Sequence, residues 1–186
     1  MFIQTESTPN PNSLKFIVEE EIAKEQTYEF NSLDDCKNSD LAAQLLSIDG
    51  VESIFFGLNF ISVNKNKFEW DQLKAPILTK IADFLSSGKP VIKSNIKSSI
   101  ENITEFDPSD QEIVSQIQEL LDTKIKPAVA QDGGDIEFKR FNDGVVYLTL
   151  QGSCAGCPSS TMTLKSGIEN LLKHYVREVK SVEQHF

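Results

Sequence analysis

The chain has 186 residues, 39% of them apolar and 25% charged, a globular balance rather than a disordered one. Lys and Arg number 18 against 28 Asp and Glu, and a formal net charge of −10 argues against a general nucleic-acid binder, which needs counter-charge for phosphate. Three cysteines are too few for a disulfide framework, which points to a reducing compartment, and no apolar run approaches the roughly 18 residues of a membrane span.

In chain order, Leu14–Val18 and Tyr28–Phe30 are predicted as short strands. Leu41, Leu45, Leu46 and Ile48 fit a helix that stops near Asp49-Gly50. Val51–Phe56 and Phe60–Val63 read as strands joined at Gly57-Leu58-Asn59. Leu73, Ile77, Ile81, Phe84 and Leu85 recur at helical spacing, with Gly88 as the stop. Pro76 belongs in that helix's first turn or marks a kink, because it has no backbone donor. Residues 88–108 are rich in Ser, Asn, Lys and Ile without a clear period, and read as a linker. Residues 1–87 hold seven basic and fourteen acidic side chains, net −7, and residues 109–186 hold eight and eleven, net −3, so the net negative charge sits mostly in the first half.

Ser109-Asp110-Gln111-Glu112 has the pattern of a capping box. Ile113, Ile117, Leu120, Leu121 and Ile125 then share a helical face, and Pro127 ends or kinks that helix. Asp135–Phe141 and Val145–Leu150 are predicted strands around an Asn142-Asp143-Gly144 turn, with Val146, Leu148 and Leu150 on one face. Leu164, Ile168, Leu171, Leu172 and Tyr175 mark another helix, and Val179–Glu183 a last strand. Neither half can bury a large core alone. The fold class is therefore α+β: two small two-layer domains, 1–87 and 109–186, the second ordered α-β-β-α-β.

The chemically loaded stretch is Gly152-Ser153-Cys154-Ala155-Gly156-Cys157-Pro158-Ser159-Ser160, between a predicted strand and a predicted helix. Gly152 and Gly156 let the loop fold so that both sulfurs face one way. Pro158 suits the first helical position, with Ser159 or Ser160 capping nearby. That places Cys157 at a helix N-terminus, where unpaired N–H groups and the dipole favour thiolate. Four readings compete: inert structural thiols, a dithiol redox pair, structural zinc, and an iron–sulfur site. Zinc normally closes its tetrahedron with a second CxxC or a His pair, and His174 and His185 lie eleven apart near the end. An iron–sulfur cluster takes four thiolates, and one chain offers two neighbours. Cys36, among Asp34, Asp35 and Lys37, reads as a solvent-side or semi-buried bystander. A four-thiolate site therefore needs Cys154 and Cys157 from each of two chains, as a symmetric dimer supplies. On chemistry alone iron–sulfur leads, with zinc and the dithiol still open.

At these residues the sequence resembles a known family. Gln131-Asp132-Gly133-Gly134-Asp135-Ile136, the Gly152–Ser160 stretch, and Thr163-Leu164-Lys165-Ser166-Gly167-Ile168-Glu169 resemble the NifU C-terminal (Nfu) domain. Phe2-Ile3-Gln4-Thr5-Glu6, Thr8-Pro9-Asn10-Pro11, Ser13-Leu14-Lys15-Phe16, Ile48-Asp49-Gly50-Val51 and Phe55-Phe56-Gly57 resemble the Nfu N-terminal domain. One departure is Ile17-Val18-Glu19-Glu20-Glu21, where the family often runs through a Pro-Gly turn. The resemblance implies a scaffold or carrier in which Cys154 and Cys157 of two protomers hold a [4Fe-4S] cluster. It implies upstream cluster-assembly proteins as donors and apo-enzymes such as lipoyl synthase and aconitase as clients. The expected protein is not an enzyme and binds neither nucleic acid nor membrane. The opening MFIQTESTPN has no basic region or apolar core, so a bacterial cytoplasm is expected, or a mitochondrial matrix for a mature organellar chain.

The other motif residues have plainer readings. Asp132-Gly133-Gly134-Asp135 is expected to make a tight turn needing positive φ. Gly167 is expected to mark close packing, Phe55, Phe56 and Phe60 to be core, and Lys165 to be a surface helix residue.

Overall fold

A computed structural model describes residues 2–24, 26–93, 105–155 and 158–185, with backbone only for 158–161. The chain forms two compact units, Met1–Lys97 and Ser98–Phe186, each with its own core.

The first unit is a five-stranded antiparallel sheet. Its strands are β1 (Ile3–Ser7), β2 (Ser13–Val18), β3 (Tyr28–Phe30), β4 (Val51–Phe56) and β5 (Phe60–Lys65), in the spatial order β1-β2-β5-β4-β3. Alternation along these strands sends Leu14, Phe16, Ile54, Phe56, Ile61 and Val63 into one core. Helices α1 (Asp40–Leu46) and α2 (Trp70–Ser86) supply Leu41, Leu45, Leu73, Ile77 and Ile81 to it. Pro76 falls in the second turn of α2 rather than the first, and the helix runs through it. Gly88 ends the helix at φ +68. Phe55, Phe56 and Phe60 are all buried, as expected of core.

Strand β1 is not among the predicted elements. It is an edge strand, and its side chains are exposed or half-buried with no alternation. Backbone pairing holds it, from Ile3 opposite Val18 to Ser7 opposite Leu14. The turn between β1 and β2 is tied by Thr8 Oγ1, which donates to the Asn10 and Ser13 carbonyls at 2.9 and 3.1 Å. Val18 is the last residue of β2, so Glu19, Glu20 and Glu21 lie beyond the paired strand.

The ends of the 88–108 segment fold onto the units. Val91 is buried in the first core, and the Lys93 N–H donates to the Asn38 carbonyl at 2.8 Å. The Glu105 N–H donates to the Lys139 carbonyl, and Glu105 accepts from the Phe141 N–H, each at 3.0 Å.

The second unit starts with a long helical arm: α3 (Gln111–Leu120), a π-helical turn (Leu121–Ile125) and α4 (Lys126–Gln131). Two strands follow, β6 (Gly134–Asn142) and β7 (Val145–Gly152), then helix α5 (Pro158–Tyr175) and strand β8 (Ser181–Gln184). The sheet order is β6-β7-β8, antiparallel between the first two and parallel between the last two. This is the predicted α-β-β-α-β order.

Four details differ from the sequence reading. Ser109 does not cap the arm: it lies in a 3-10 turn (Pro108–Asp110) ahead of α3, capped by Asp107, which accepts from the Ser109 N–H at 2.9 Å and its hydroxyl at 2.7 Å. The buried stripe is Val114, Ile117, Leu121, Ile125 and Val129, with Ile113 and Leu120 at its margin. The last four stay four residues apart because the π turn absorbs the drift that an α-helix would accumulate. Pro127 explains the turn: its ring would crowd the Thr123 carbonyl in an α-helix, and instead the Lys126 N–H reaches back five residues to Leu121. Tyr175 is exposed rather than core, with the Lys124 Nζ 5.4 Å from its ring centroid. Gly167 does not mark close packing: beyond its chain neighbours and its own helix backbone, a Cβ there would meet no atom of the described residues within 4 Å.

Candidate functional site

The β6–β7 hairpin turns at Asp143 and Gly144, both at positive φ, +50 and +86, as the Asn-Asp-Gly sequence requires. The far end of this hairpin carries the chemistry. There Gly134, the first residue of β6, stands opposite Gly152, the last of β7.

The chain enters and leaves this end through two left-handed glycines, Gly133 at φ +83 and Gly152 at φ +67. The Asp132-Gly133-Gly134-Asp135 turn is therefore as expected. What the sequence does not show is that this turn and the cysteine loop are clasped together. The Ser153 N–H donates to the Gly133 carbonyl at 3.1 Å, and the Ser153 hydroxyl donates to the Asp132 carbonyl. The Ala155 N–H donates back to the Gly152 carbonyl at 3.2 Å, closing the loop on itself.

Cys154 sits inside this clasp. It is only 5% exposed and belongs to the core cluster with Ile136, Leu150, Ile168 and Leu172. Its Sγ lies 3.9 Å from the Ser153 Oγ. A Cβ built on Gly134 would stand 2.8 Å from the Cys154 Sγ and 2.6 Å from the Gln151 carbonyl oxygen. Cys157 lies outside the described residues; it immediately precedes α5, which begins at Pro158 as the proline predicts.

The other candidates are placed elsewhere. Lys165 pairs with Glu183 across to β8, Nζ to Oε2 at 2.6 Å. His174 stacks edge-on against Tyr175 near the opposite end of α5, and the His185 backbone bonds to Leu148 and Thr149. Among the described residues, no group of three or more His, Cys, Asp or Glu is arranged to hold a metal. Cys36 lies in the first unit, in a 3-10 turn (Leu33–Asn38), and is buried rather than solvent-side. Burial, and secondarily the Asp35 charge, push its thiol up to about 11. It donates to the Ser32 carbonyl at 3.4 Å.

Residues 3–88 match the family model described as scaffold protein Nfu/NifU N terminal, and residues 117–183 match the NifU-like domain. A human protein named NFU1 iron-sulfur cluster scaffold homolog, mitochondrial, is 48% identical over 186 residues, covering 99% of this chain and 72% of its own. The chain belongs to the Nfu/NifU-like family. NifU-like protein 4, mitochondrial, of Arabidopsis thaliana is 47% identical, covering 100% of this chain and 66% of its own. The solution structure of a NifU-like protein from Saccharomyces cerevisiae is 29% identical, covering 51% of this chain and 87% of its own, with a TM-score of 0.46.

In this Nfu-family chain, sequence reasoning reached the cysteine loop and missed its floor. Gly134 was legible as half of a turn, but Gly133 alone has the positive φ. The second glycine of a Gly-Gly pair, with no dihedral need for glycine, is the signal that something occupies its side-chain space.

Proposed function

We propose that the chain is an iron–sulfur cluster scaffold and carrier, in which Cys154 and Cys157 of two protomers hold one [4Fe-4S] cluster as cargo and pass it to apo-proteins. The observation that carries this reading is the placement of the cysteine loop. Its first cysteine, Cys154, is held at the open end of a hairpin, four residues ahead of the first residue of α5, in a chain whose human relative is named an iron–sulfur cluster scaffold.

The chemistry is ligand exchange. A client thiolate forms a bond to iron as the bond from Cys154 or Cys157 breaks, and the released thiolate takes a proton from water. Repeated at each iron, this moves the cluster whole, with no net oxidation or reduction. No side chain acts as acid, base or covalent catalyst, so the protein is a carrier rather than an enzyme. Because each chain supplies half the ligand set, loading favours the homodimer and release favours separation. The partners are upstream assembly proteins and apo iron–sulfur enzymes. The first unit, which holds most of the net negative charge, is assigned to partner recognition. Of the two expected compartments we assign the mitochondrial one, since the relatives above are named mitochondrial.

Anaerobic reconstitution tests the reading. The expected product is brown and dimeric, with about four iron and four sulfide per dimer. Cys154→Ser and Cys157→Ser each abolish it. A colourless monomer that reduces disulfides would establish the dithiol alternative. Zinc that survives reconstitution would establish a structural four-cysteine site.

A further inference from the structure

We propose that Gly134 is a positioning residue: the space left by its missing side chain is the seat of the Cys154 thiol in the cluster-free chain. Strand alternation defines that space. Gly134, Ile136 and Phe138 are alternate buried positions of β6 ahead of its register shift after Phe138, so a side chain at 134 would project to the same face as Ile136 and Phe138. That direction is where Cys154 lies, with its Sγ 2.8 Å and its Cβ 3.3 Å from the absent Cβ. A residue two positions past the end of β7 thus fills the core slot of a residue at the start of β6. Gly152 turns the chain back over β6, and the two Ser153 bonds to Gly133 and Asp132 hold it there. The backbone alone did not require glycine at 134, because its φ is not left-handed. Space required it.

The seat has a consequence for the ligand. A sulfur packed in the core is withheld from solvent and held at one fixed position at the mouth of the hairpin. Filling the seat turns the thiol outward. The part of this inference that concerns iron rests on the carrier reading above; the part that concerns the thiol does not.

The test is thiol alkylation by iodoacetamide in the full cluster-free chain, resolved by residue with mass spectrometry. In the wild type, Cys154 is expected to react at least about 100-fold more slowly than in the urea-unfolded chain, since reaction waits for local opening. In Gly134→Ala the rate at Cys154 is expected to rise about ten-fold or more, as a tightly packed site accepts no added methyl without moving its neighbour. Circular dichroism confirms folding, and iron retained after reconstitution is expected to fall below half the wild-type amount. Cys154 as reactive as in the unfolded chain overturns the proposal, and so does a folded Gly134→Ala with the wild-type rate. The added methyl also meets the Gln151 carbonyl, so Ser153→Ala is the second variant. It removes the hydroxyl bond to Asp132 without crowding the strand. Faster alkylation of Cys154 in it supports the seat, and an unchanged rate in both variants overturns it. A chain that passes the alkylation test and binds no iron refutes the carrier reading and leaves the seat intact.

Discussion

Gly167 offers a sharp test of the helix energetics. It is the tenth of eighteen residues in α5, it is exposed, and beyond its chain neighbours and its own helix backbone no atom of the described residues lies within 4 Å of where its Cβ would be. Glycine in such a position costs about 1 kcal/mol relative to alanine, because more backbone freedom is lost on folding. Gly167→Ala should therefore stabilise the second unit by about 1 kcal/mol, with no packing change to offset the gain. For a unit of this size that is a rise of about 4–8 °C in Tm. The single tryptophan, Trp70, lies in α2 of the first unit, with its Nε1–H donating to the Pro11 carbonyl at 3.0 Å. Its fluorescence reports the first unit only and should not move. Scanning calorimetry of the cluster-free protein should show one transition shifted and the other fixed. A second-unit Tm that stays put or falls would refute the reasoning, since it would mean that the added methyl meets an atom.

Gly144→Ala should do the opposite. Its φ is +86, and its Cβ would stand 2.7 Å from the Glu178 carbonyl oxygen, so a loss of at least about 1–2 kcal/mol is expected in a urea melt of the second unit. Cys36 should make the first unit lose stability with alkali. Its folded thiol, near 11, lies above its ordinary 9.0, so its contribution is intact below about pH 9 and is lost as pH rises towards 11. Cys36→Ala should remove that part of the pH dependence of the Trp70 transition and leave cluster loading unchanged. The Lys173 ammonium, 2.6 Å from Glu169, and then the Val182 N–H, which donates to it at 3.0 Å, hold the Glu169 carboxyl below its ordinary value. Glu169→Ala should cost about 1 kcal/mol and speed hydrogen exchange at the Val182 amide; unchanged exchange would show that β8 is held by the sheet alone.

Much of this was legible because period and turn chemistry agreed. Val146, Leu148 and Leu150 alternate on β7, and Asn142-Asp143-Gly144 names its own turn. The α2 stripe from Leu73 to Leu85 is regular enough to survive Pro76. What was hidden had physical reasons. Strand β1 buries too little to alternate, so only its backbone partners reveal it. The arm's stripe runs on to Val129 because a π turn changes the period midway, and no single helical period follows it. Asp34, Asp35 and Lys37 leave Cys36 solvent-side or semi-buried by sequence, whereas a 3-10 turn buries it fully while those neighbours face water. At the site, the two cysteines were visible as chemistry, but the reason for Gly134 is a contact between residues twenty apart, and no local pattern encodes that.

The parallel pairing of β7 with β8 bears on how the protein is made. The hairpin β6–β7 is complete at Gly152, but its third strand is synthesised only after α5, about thirty residues later. A two-stranded ribbon is marginal in water. On the ribosome, the cysteine loop therefore emerges onto an unfinished sheet, and Cys154 meets its solvent before Val182 and Glu183 arrive to lock the helix across it. Until α5 and β8 are made, the thiol lacks the cover that they give it in the folded unit.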